Sequence, residues 1–232
     1  MWQRRFTALT AAVEIASEAG GHHAALDALF GSYPGTGESP QLSYRVSRLA
    51  SGYRLECNHE LLEEALADLD VGPTIELDLF RRVVEIAQPA LTLHAAAVAV
   101  DGGALVLVGP SGAGKTTITR ALIDGGGVYL SDECVSIDDD GVVGLSRGLY
   151  LGDEAPERGA ERARSYDWVD EDGHERQSWL LHPPAESVGV GRFRVRGIFL
   201  IEYRPEEPGE IIVVEAGRAL AELWEATFAA SP

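Results

Sequence analysis

The sequence contains little cysteine, little lysine and no long apolar run. Its 232 residues include only two cysteines, Cys57 and Cys134, and neither belongs to a C-x-x-C pair, so we expect isolated thiols rather than a disulfide. No segment approaches the roughly 20 consecutive apolar residues of a membrane helix. An acidic residue, Glu14, falls where a signal peptide would keep its apolar run. We therefore expect a cytoplasmic protein without a membrane partner.

The charge of the chain is strongly acidic. Against 37 acidic residues there are 19 basic ones, giving a formal net charge of -18 at pH 7. Nucleic-acid binding depends on neutralisation of phosphates by lysine and arginine, and a surface of this sign repels a polyanion. The composition thus argues against DNA or RNA as a partner, and we interpret the acidity as a source of solubility. A homo-oligomer is possible, and the sequence does not require one.

The first 88 residues predict a small α+β region. Alternation of apolar and polar residues on both sides of Ser51-Gly52 is typical of a β-hairpin. Asn58 is suited to cap a following helix, and Pro73 to begin the next one, in which Ile75, Leu79, Val83 and Ile86 share a face. The predicted elements are a strand in 6–16, a helix in 22–31, the hairpin in 41–58, and helices in 59–69 and 73–88 that bridge to the rest of the chain.

Residues 89–232 predict one larger α/β domain. Its first part shows buried strands, a glycine-rich loop, a helix that stops at Gly125 to Gly127, and a further strand, which together have the length of a strand–helix–strand unit. The charged stretch 152–178 has little periodicity and predicts a polar surface loop, either a plain insertion or a lid. The predicted strands are 91–100, 104–109, 128–138, 194–204 and 209–217, and the predicted helices are 116–125 and 218–228.

The glycine-rich loop matches the phosphate-loop pattern G-x-x-x-x-G-K-[ST] in full, after a buried strand and at the start of a helix. In such a loop the backbone N–H groups and the helix N-terminus face phosphate oxygens, the lysine reaches the β- and γ-phosphates, and the hydroxyl after it ligates Mg²⁺. The loop lysine is also the single lysine of the chain, the other 18 basic residues being arginine. A chance glycine-rich turn is the alternative. The predicted nucleotide-binding residues are Gly109, Pro110, Ser111, Gly112, Ala113, Gly114, Lys115, Thr116 and Thr117.

Two acids, Asp132 and Glu133, follow an apolar stretch one helix after the loop. Carboxylates at the end of a strand beside a phosphate loop can hold Mg²⁺ or accept the proton of an attacking hydroxyl. We expect Asp132 to act as the base and Glu133, with Thr116, to ligate the metal. A pair of acids on a solvated turn is the alternative interpretation.

His94 lies in the apolar strand 91–100, and two interpretations stay open for it. Such a histidine is commonly a core residue, yet its strand leads through a tight turn into the strand that carries the phosphate loop. The six histidines show neither an H-E-x-x-H pattern nor Cys/His ligand spacing, which argues against a zinc site. Arg147, Arg192, Arg194 and Arg196 are further candidates to neutralise phosphate, although most arginines of this kind are surface residues.

These features together resemble the HPr kinase/phosphorylase family, in particular its small, divergent HPr-kinase-like members. The resemblance rests on the histidine-bearing strand, the phosphate loop after a short hairpin, and the acidic pair, and it covers about residues 91–140. It implies a P-loop kinase core akin to phosphoenolpyruvate carboxykinase and transfer of phosphate to a serine hydroxyl. It also implies that His94 is the active-site histidine ahead of the loop, Asp132 the catalytic carboxylate and Glu133 its acidic neighbour.

The sequence thus predicts a Mg²⁺- and ATP-dependent kinase with Asp132, Lys115, Glu133 and His94 as its catalytic residues. The expected phosphate acceptor is a hydroxyl, most simply that of serine, on a small protein, peptide or metabolite. The alternative is a nucleotide-binding switch or accessory protein that passes no phosphate on. Because no second lysine exists, a guanine-reading N-K-x-D motif is excluded.

Overall fold

The computed structural model describes residues 1–18, 20–156, 159–205 and 209–228. These residues form four α-helices, fourteen strands and two short 3-10 turns at 160–162 and 185–187. No helix among them is both long enough and apolar enough to cross a membrane. In chain order the elements are β1 (Trp2–Ala8), β2 (Ala11–Ser17), α1 (His23–Phe30), β3 (Leu42–Arg48), β4 (Tyr53–Cys57), β5 (Glu60–Leu66), α2 (Asp68–Ala87), β6 (Leu91–Val100), β7 (Gly103–Val108), α3 (Lys115–Asp124), β8 (Val128–Ser131), β9 (Cys134–Asp138), β10 (Gly141–Gly144), β11 (Leu149–Gly152), β12 (Ala163–Val169), β13 (Glu175–Leu181), β14 (Arg194–Leu200) and α4 (Ala216–Glu225).

The chain divides into two compact units, and each is built from two separate stretches of sequence. Unit 1 comprises residues 1–88 and 146–190, and unit 2 comprises residues 89–145 and 191–232. The first stretch of unit 1 ends at residue 88. Residues 146–190, in contrast, belong with the N-terminal region and not with the phosphate-loop domain to which 89–232 had been assigned as a whole. The overall class is mixed α/β, as expected.

Unit 1 contains a five-stranded sheet in the order β1-β2-β3-β4-β5 and a three-stranded antiparallel sheet in the order β11-β13-β12. In the larger sheet β2 and β3 are parallel and the other neighbours antiparallel. Helix α2 buries Val71, Ile75, Leu79 and Val83, which recur every four residues and therefore share one face. Ile86, which was predicted on that face, is exposed.

Polar contacts explain why residues 146–190 belong to unit 1. The Arg147 guanidinium pairs with Glu76 of α2, with 2.7 Å between Nε and Oε1. Ser32 Oγ donates to the carbonyl of Ser146 at 2.9 Å, and His182 Nε2 lies 2.8 Å from the carbonyl oxygen of Ala28. These contacts join residues 146–190 to α1 and α2. Residues far apart in the sequence therefore belong to the same unit.

Three elements of unit 1 differ from their sequence predictions. The stretch 6–16, predicted as one strand, contains the turn between β1 and β2, which pair antiparallel. The stretch 59–69 was predicted as a helix capped by Asn58, but it contains strand β5, which pairs with β4. Asn58 and His59 both have positive φ, 50° and 68°, which is the backbone of the two-residue turn that favours a hairpin. Helix α2 begins at Asp68 rather than Pro73, so the proline lies inside it.

The stretch 152–178, predicted as a polar loop, also has more structure than expected. Strands β12 and β13 pair antiparallel from Ala163↔Leu181 to Val169↔Glu175. The indole N–H of Trp168 donates to Ser178 Oγ at 3.0 Å across this pair. Its charged residues mostly occupy the exposed face of a hairpin, which explains why the segment is polar and nevertheless ordered into strands.

Unit 2 contains a six-stranded sheet in the order β10-β9-β6-β7-β14, with β8 also paired to β6. Strand β6 is central, because it pairs antiparallel with β7 along one edge and with β8 and β9 along the other. The core of the unit is formed by small and branched residues of these strands, among them Ala95, Ala97, Val106, Leu130 and Val135.

The C-terminal part of unit 2 agrees only partly with prediction. Helix α4 forms as expected, but its Leu220 and Trp224 are 68% and 81% exposed, while Leu223 packs against the core. The predicted strand 209–217 is not a strand, and its apolar residues 211–213 are exposed. Residues 206–208 and 229–232 lie outside the described part of the chain, as do residues 157 and 158 within the predicted polar loop.

Candidate functional site

The candidate site lies entirely within unit 2, where the order of the strands explains its assembly. Ala95 of β6 pairs with Val108, the last residue of β7 before the phosphate loop. On the opposite edge of β6, the N–H of Ala95 donates to the carbonyl of Glu133 at 3.2 Å. One residue of the central strand thus brings the start of the phosphate loop and the acidic pair to the same level of the sheet.

This arrangement corrects one detail of the expected strand–helix–strand unit. The strand after α3 neighbours β6, which carries His94, and does not neighbour the strand of the phosphate loop. It is also interrupted, since β8 ends at Ser131 and β9 begins at Cys134. The two residues in the gap are Asp132 and Glu133.

Ser131 holds this interruption in place. Its Oγ accepts the backbone N–H groups of Glu133 at 3.2 Å and Cys134 at 3.0 Å, and donates to the carbonyl of Leu145 at 2.9 Å. The side chain is fully buried. Ser131 therefore fixes the backbone that presents both acids, a role that sequence reasoning missed because a serine before an acidic pair carries no distinctive pattern.

The phosphate loop leads directly into α3. Gly114 precedes the helix with φ of 97°, a left-handed conformation that glycine adopts without strain. No acidic residue lies in the first turn of α3. The N-terminus of this helix can therefore favour an anion without competition from a carboxylate of its own first turn.

Lys115 is 7% exposed and its ammonium contacts the loop itself. Nζ donates to the carbonyl oxygens of Gly109 at 2.7 Å and Pro110 at 3.2 Å. Burial lowers the pKa of Lys115, while the charges of Asp132 and Glu133 oppose that shift. The ammonium is thus held between the loop and the acidic pair.

Thr116 and Asp132 are in direct contact. Thr116 Oγ1 donates to Asp132 Oδ2 at 2.9 Å, and Asp132 is 8% exposed. A hydroxyl and a carboxylate side by side are hard oxygen donors of the kind that Mg²⁺ prefers. Of the two acids, Asp132 is thus in direct contact with Thr116, whereas Glu133 was predicted to ligate the metal together with Thr116.

His94 belongs to the same site and is partly buried. Burial lowers the pKa of its imidazole, the Lys115 charge lowers it further, and Glu133 opposes both effects. Its ring packs edge-on against Phe228, with 5.7 Å between ring centroids, and its backbone N–H donates to the carbonyl of Ala226. The segment after α4 thus continues beside β6 where β7 ends, a contact that no sequence signal indicated.

A cavity of about 310 Å³ opens beside His94 and the first residues of the phosphate loop. Gly109 and Pro110 form one side, and Glu222 and Glu225 of α4 contribute to another. The glutamates place negative charge next to the first residues of the loop. This cavity is therefore poorly suited to phosphate groups.

The candidate arginines lie elsewhere or have other partners. Arg147 belongs to unit 1 and pairs with Glu76. In unit 2, Arg192 pairs with Asp138, and Arg196 lies 3.4 Å from Asp101. Neither contact reaches the phosphate loop.

One acidic cluster lies outside this site. Ligand atoms of Asp170, Asp172 and His174 approach within 4.8 Å of one another at the exposed turn between β12 and β13. Asp170 already accepts hydrogen bonds from Arg176 and from the backbone of Asp172 and His174. These hydrogen bonds stabilise the turn, and they explain why the three side chains lie close together.

No model of a known protein family matches the chain, and no curated protein matches it at a significant level.

Proposed function

We propose that unit 2 is a Mg²⁺- and ATP-dependent phosphotransferase that acts on a hydroxyl group. The observation that carries the proposal is the convergence of Lys115, the Thr116–Asp132 pair, Glu133 and His94 at one end of β6 and β7. The likeness to HPr-kinase-like proteins in the motifs of residues 91–140 is consistent with this activity.

In this proposal the loop amides and Lys115 bind the β- and γ-phosphates. The Lys115 ammonium leaves the carbonyl oxygens of Gly109 and Pro110 and binds phosphate oxygens instead. Phosphate oxygens are the stronger acceptors because they carry negative charge. Thr116 and Asp132 would hold the metal, which neutralises charge on the phosphate oxygens when it is bound.

We assign the base to Glu133 and not to Asp132, which reverses the expectation from sequence. Asp132 accepts from the Thr116 hydroxyl. Both acids act electrostatically on Lys115, and Glu133 also acts on His94. Glu133 takes the proton of the acceptor hydroxyl while the oxygen of that hydroxyl bonds to the γ-phosphorus. The bond from the γ-phosphorus to the bridging oxygen breaks, and ADP leaves with that oxygen.

The cavity beside His94 is the proposed acceptor side. Glu222 and Glu225 would repel the triphosphate and attract a positive group on the acceptor. A serine next to an arginine in a peptide is an acceptor of this chemistry, as is a hydroxylated amine.

The test follows γ-labelled ATP with free serine, serine peptides carrying a neighbouring arginine, and the same peptides with aspartate in its place. Glu133→Gln should keep ATP binding and lower transfer by about 10²- to 10⁴-fold, or about 3 to 5 kcal/mol of transition-state stabilisation. Asp132→Asn should weaken Mg²⁺-dependent ATP binding. Asp140→Asn, an exposed acid nearby in unit 2, serves as the matched control.

Lys115→Ala tests nucleotide binding, which both functions considered for the chain require. It should abolish nucleotide binding under either function, because the ammonium is the single lysine charge at the loop. If binding needs Lys115 but label never leaves ATP in any arm, the chain acts as a nucleotide switch and the transferase proposal fails. If Glu133→Gln transfers at the parent rate while Asp132→Asn does not, the assignment of the base is wrong.

A further inference from the structure

A second cavity, of about 260 Å³, lies in unit 1 and has no part in the phosphate-loop site. It is bordered by β1, by the segment 31–35 after α1, and by residues 182–190. Its apolar side includes Pro34, Pro183 and Val188, and its polar side includes Arg4 and His182. This volume is at the small end of ligand-binding cavities.

Arg4 is a partly buried cation without a counter-ion among the described residues. Its Nη2 donates to the carbonyl oxygens of Gly31 at 2.7 Å and Tyr33 at 2.9 Å. Its Nε is fully buried and has no hydrogen-bond partner in the described part of the chain. Within those same residues no carboxylate oxygen lies within 4.0 Å of the guanidinium, since its electrostatic neighbour Asp27 pairs instead with Arg164.

The other polar groups of the cavity do not neutralise this charge. Burial lowers the pKa of Arg4, and the Asp27 charge only opposes that shift. Burial also lowers the pKa of His182, so its imidazole is neutral at pH 7. Because Nε2 faces the carbonyl of Ala28, it carries the proton, and Nδ1 is left as an acceptor. Among the described residues that line the cavity, Arg4 is thus the one with a full charge at pH 7.

We propose that this cavity binds a small aliphatic monocarboxylate, either a free acid or an acidic chain end. The carboxylate pairs with the Arg4 guanidinium, whose charge has no carboxylate partner among the described residues, and the aliphatic body packs on the prolines and Val188. A charged donor that is buried without a partner costs free energy, and an anion in the cavity offsets that cost. Inorganic phosphate is a poorer fit, because a dianion needs more donors than one arginine and the prolines have no N–H group.

Isothermal titration of the full chain with isovalerate tests the proposal. Its neutral analogue isovaleramide and inorganic phosphate are the comparison ligands. Isovalerate should bind with a dissociation constant on the order of 1 mM, and isovaleramide at least about tenfold more weakly. Arg4→Gln should weaken isovalerate binding at least about tenfold. Arg5→Gln, at an exposed neighbour in the same strand, should leave it unchanged.

Because Arg4 also holds the segment 31–33, Arg4→Gln could unfold the unit, and a second variant avoids this ambiguity. Val188→Trp fills the cavity and leaves Arg4 intact, so it should abolish isovalerate binding while the far-ultraviolet circular dichroism is preserved. In a titration followed by NMR, isovalerate should also shift the resonances of the His182 ring if it occupies this cavity. Equal binding of the amide and the acid would overturn the proposal, as would binding of phosphate alone or isovalerate binding that survives Val188→Trp.

Discussion

At the scale of single residues, two threonines of helix α3 show how the surroundings of a side chain decide its role. Thr116 donates its hydroxyl hydrogen to Asp132. Thr119, one turn later, is fully buried, and its hydroxyl has no partner in the described part of the chain. The same residue type thus makes a hydrogen bond at one position and leaves its buried hydroxyl unpaired at the other.

Replacing each threonine by valine should therefore change a different property, ATP binding at Thr116 and stability at Thr119. Thr116→Val removes the donor to Asp132 and should weaken Mg²⁺-dependent ATP binding about tenfold or more. Thr119→Val should leave ATP binding unchanged and raise the free energy of unfolding by about 1 kcal/mol, since a buried unpaired hydroxyl is replaced by a methyl group. Calorimetric titration with ATP and urea unfolding measure the two effects. A loss of stability in Thr119→Val would indicate that its hydroxyl has a partner.

At the scale of elements, the site depends on how closely β8 and β10 approach. A Cβ at Gly144 would lie 2.3 Å from the carbonyl oxygen of Leu130, which is backbone and cannot move without shifting β8. Strand β8 leads directly into Ser131 and the acidic pair. A glycine remote from the phosphate loop in sequence therefore helps to determine where Asp132 lies.

Gly144→Ala should lower the free energy of unfolding by about 1 to 3 kcal/mol, the usual cost of overpacking, and weaken ATP binding by displacing Asp132. Gly217→Ala in α4 is the control, because a Cβ there meets no atom within 4 Å and alanine favours a helix. Urea unfolding and ATP titration would be carried out on both variants. If Gly144→Ala is as stable as the parent, the close approach of the two strands is not rigid.

Elements with a local signal could be predicted from the sequence, and those fixed by distant pairing could not. Strand β7, the phosphate loop and α3 follow one another within a few residues, so periodicity and glycines identify them. Strand β5 is rich in helix formers, yet the Asn58-His59 turn pairs it with β4. The central position of β6 and the contact of Ala226 with His94 depend on partners far along the chain. The sequence could therefore identify residues that the structure brings together, whereas the Thr116–Asp132 contact could not be predicted from it.

At the scale of the whole molecule, the buried His22 and the partly buried His94 and His182 make stability depend on pH. Burial lowers the pKa values of His22, His94 and His182 below the ordinary value of 6.5. The unfolded chain then binds more protons than the folded one as the pH falls through this range. These histidines therefore contribute stability that is complete above about pH 6.5 and is lost towards their lowered pKa values.

The free energy of unfolding should thus be lower at pH 5.5 than at pH 7.5, as measured by urea titration at constant ionic strength. His22→Gln should reduce the difference between the two pH values, because it removes a group whose burial disfavours protonation. His59→Asn, an exposed histidine with left-handed backbone that asparagine tolerates, should leave the difference unchanged. Equal stability at both pH values would show that the buried histidines are not linked to folding.

The interleaving of the two units has a consequence for how the chain folds during its synthesis. Residues 1–88 emerge from the ribosome well before residues 146–190, with which they form unit 1, and the strands of residues 89–145 emerge between these two stretches. Unit 2 in turn lacks β14 and the segment that contacts His94 until residues 194–228 have emerged. A nascent chain arrested near residue 160 would therefore present both units unfinished at once, unit 1 without the hairpin of β12 and β13 and unit 2 without β14.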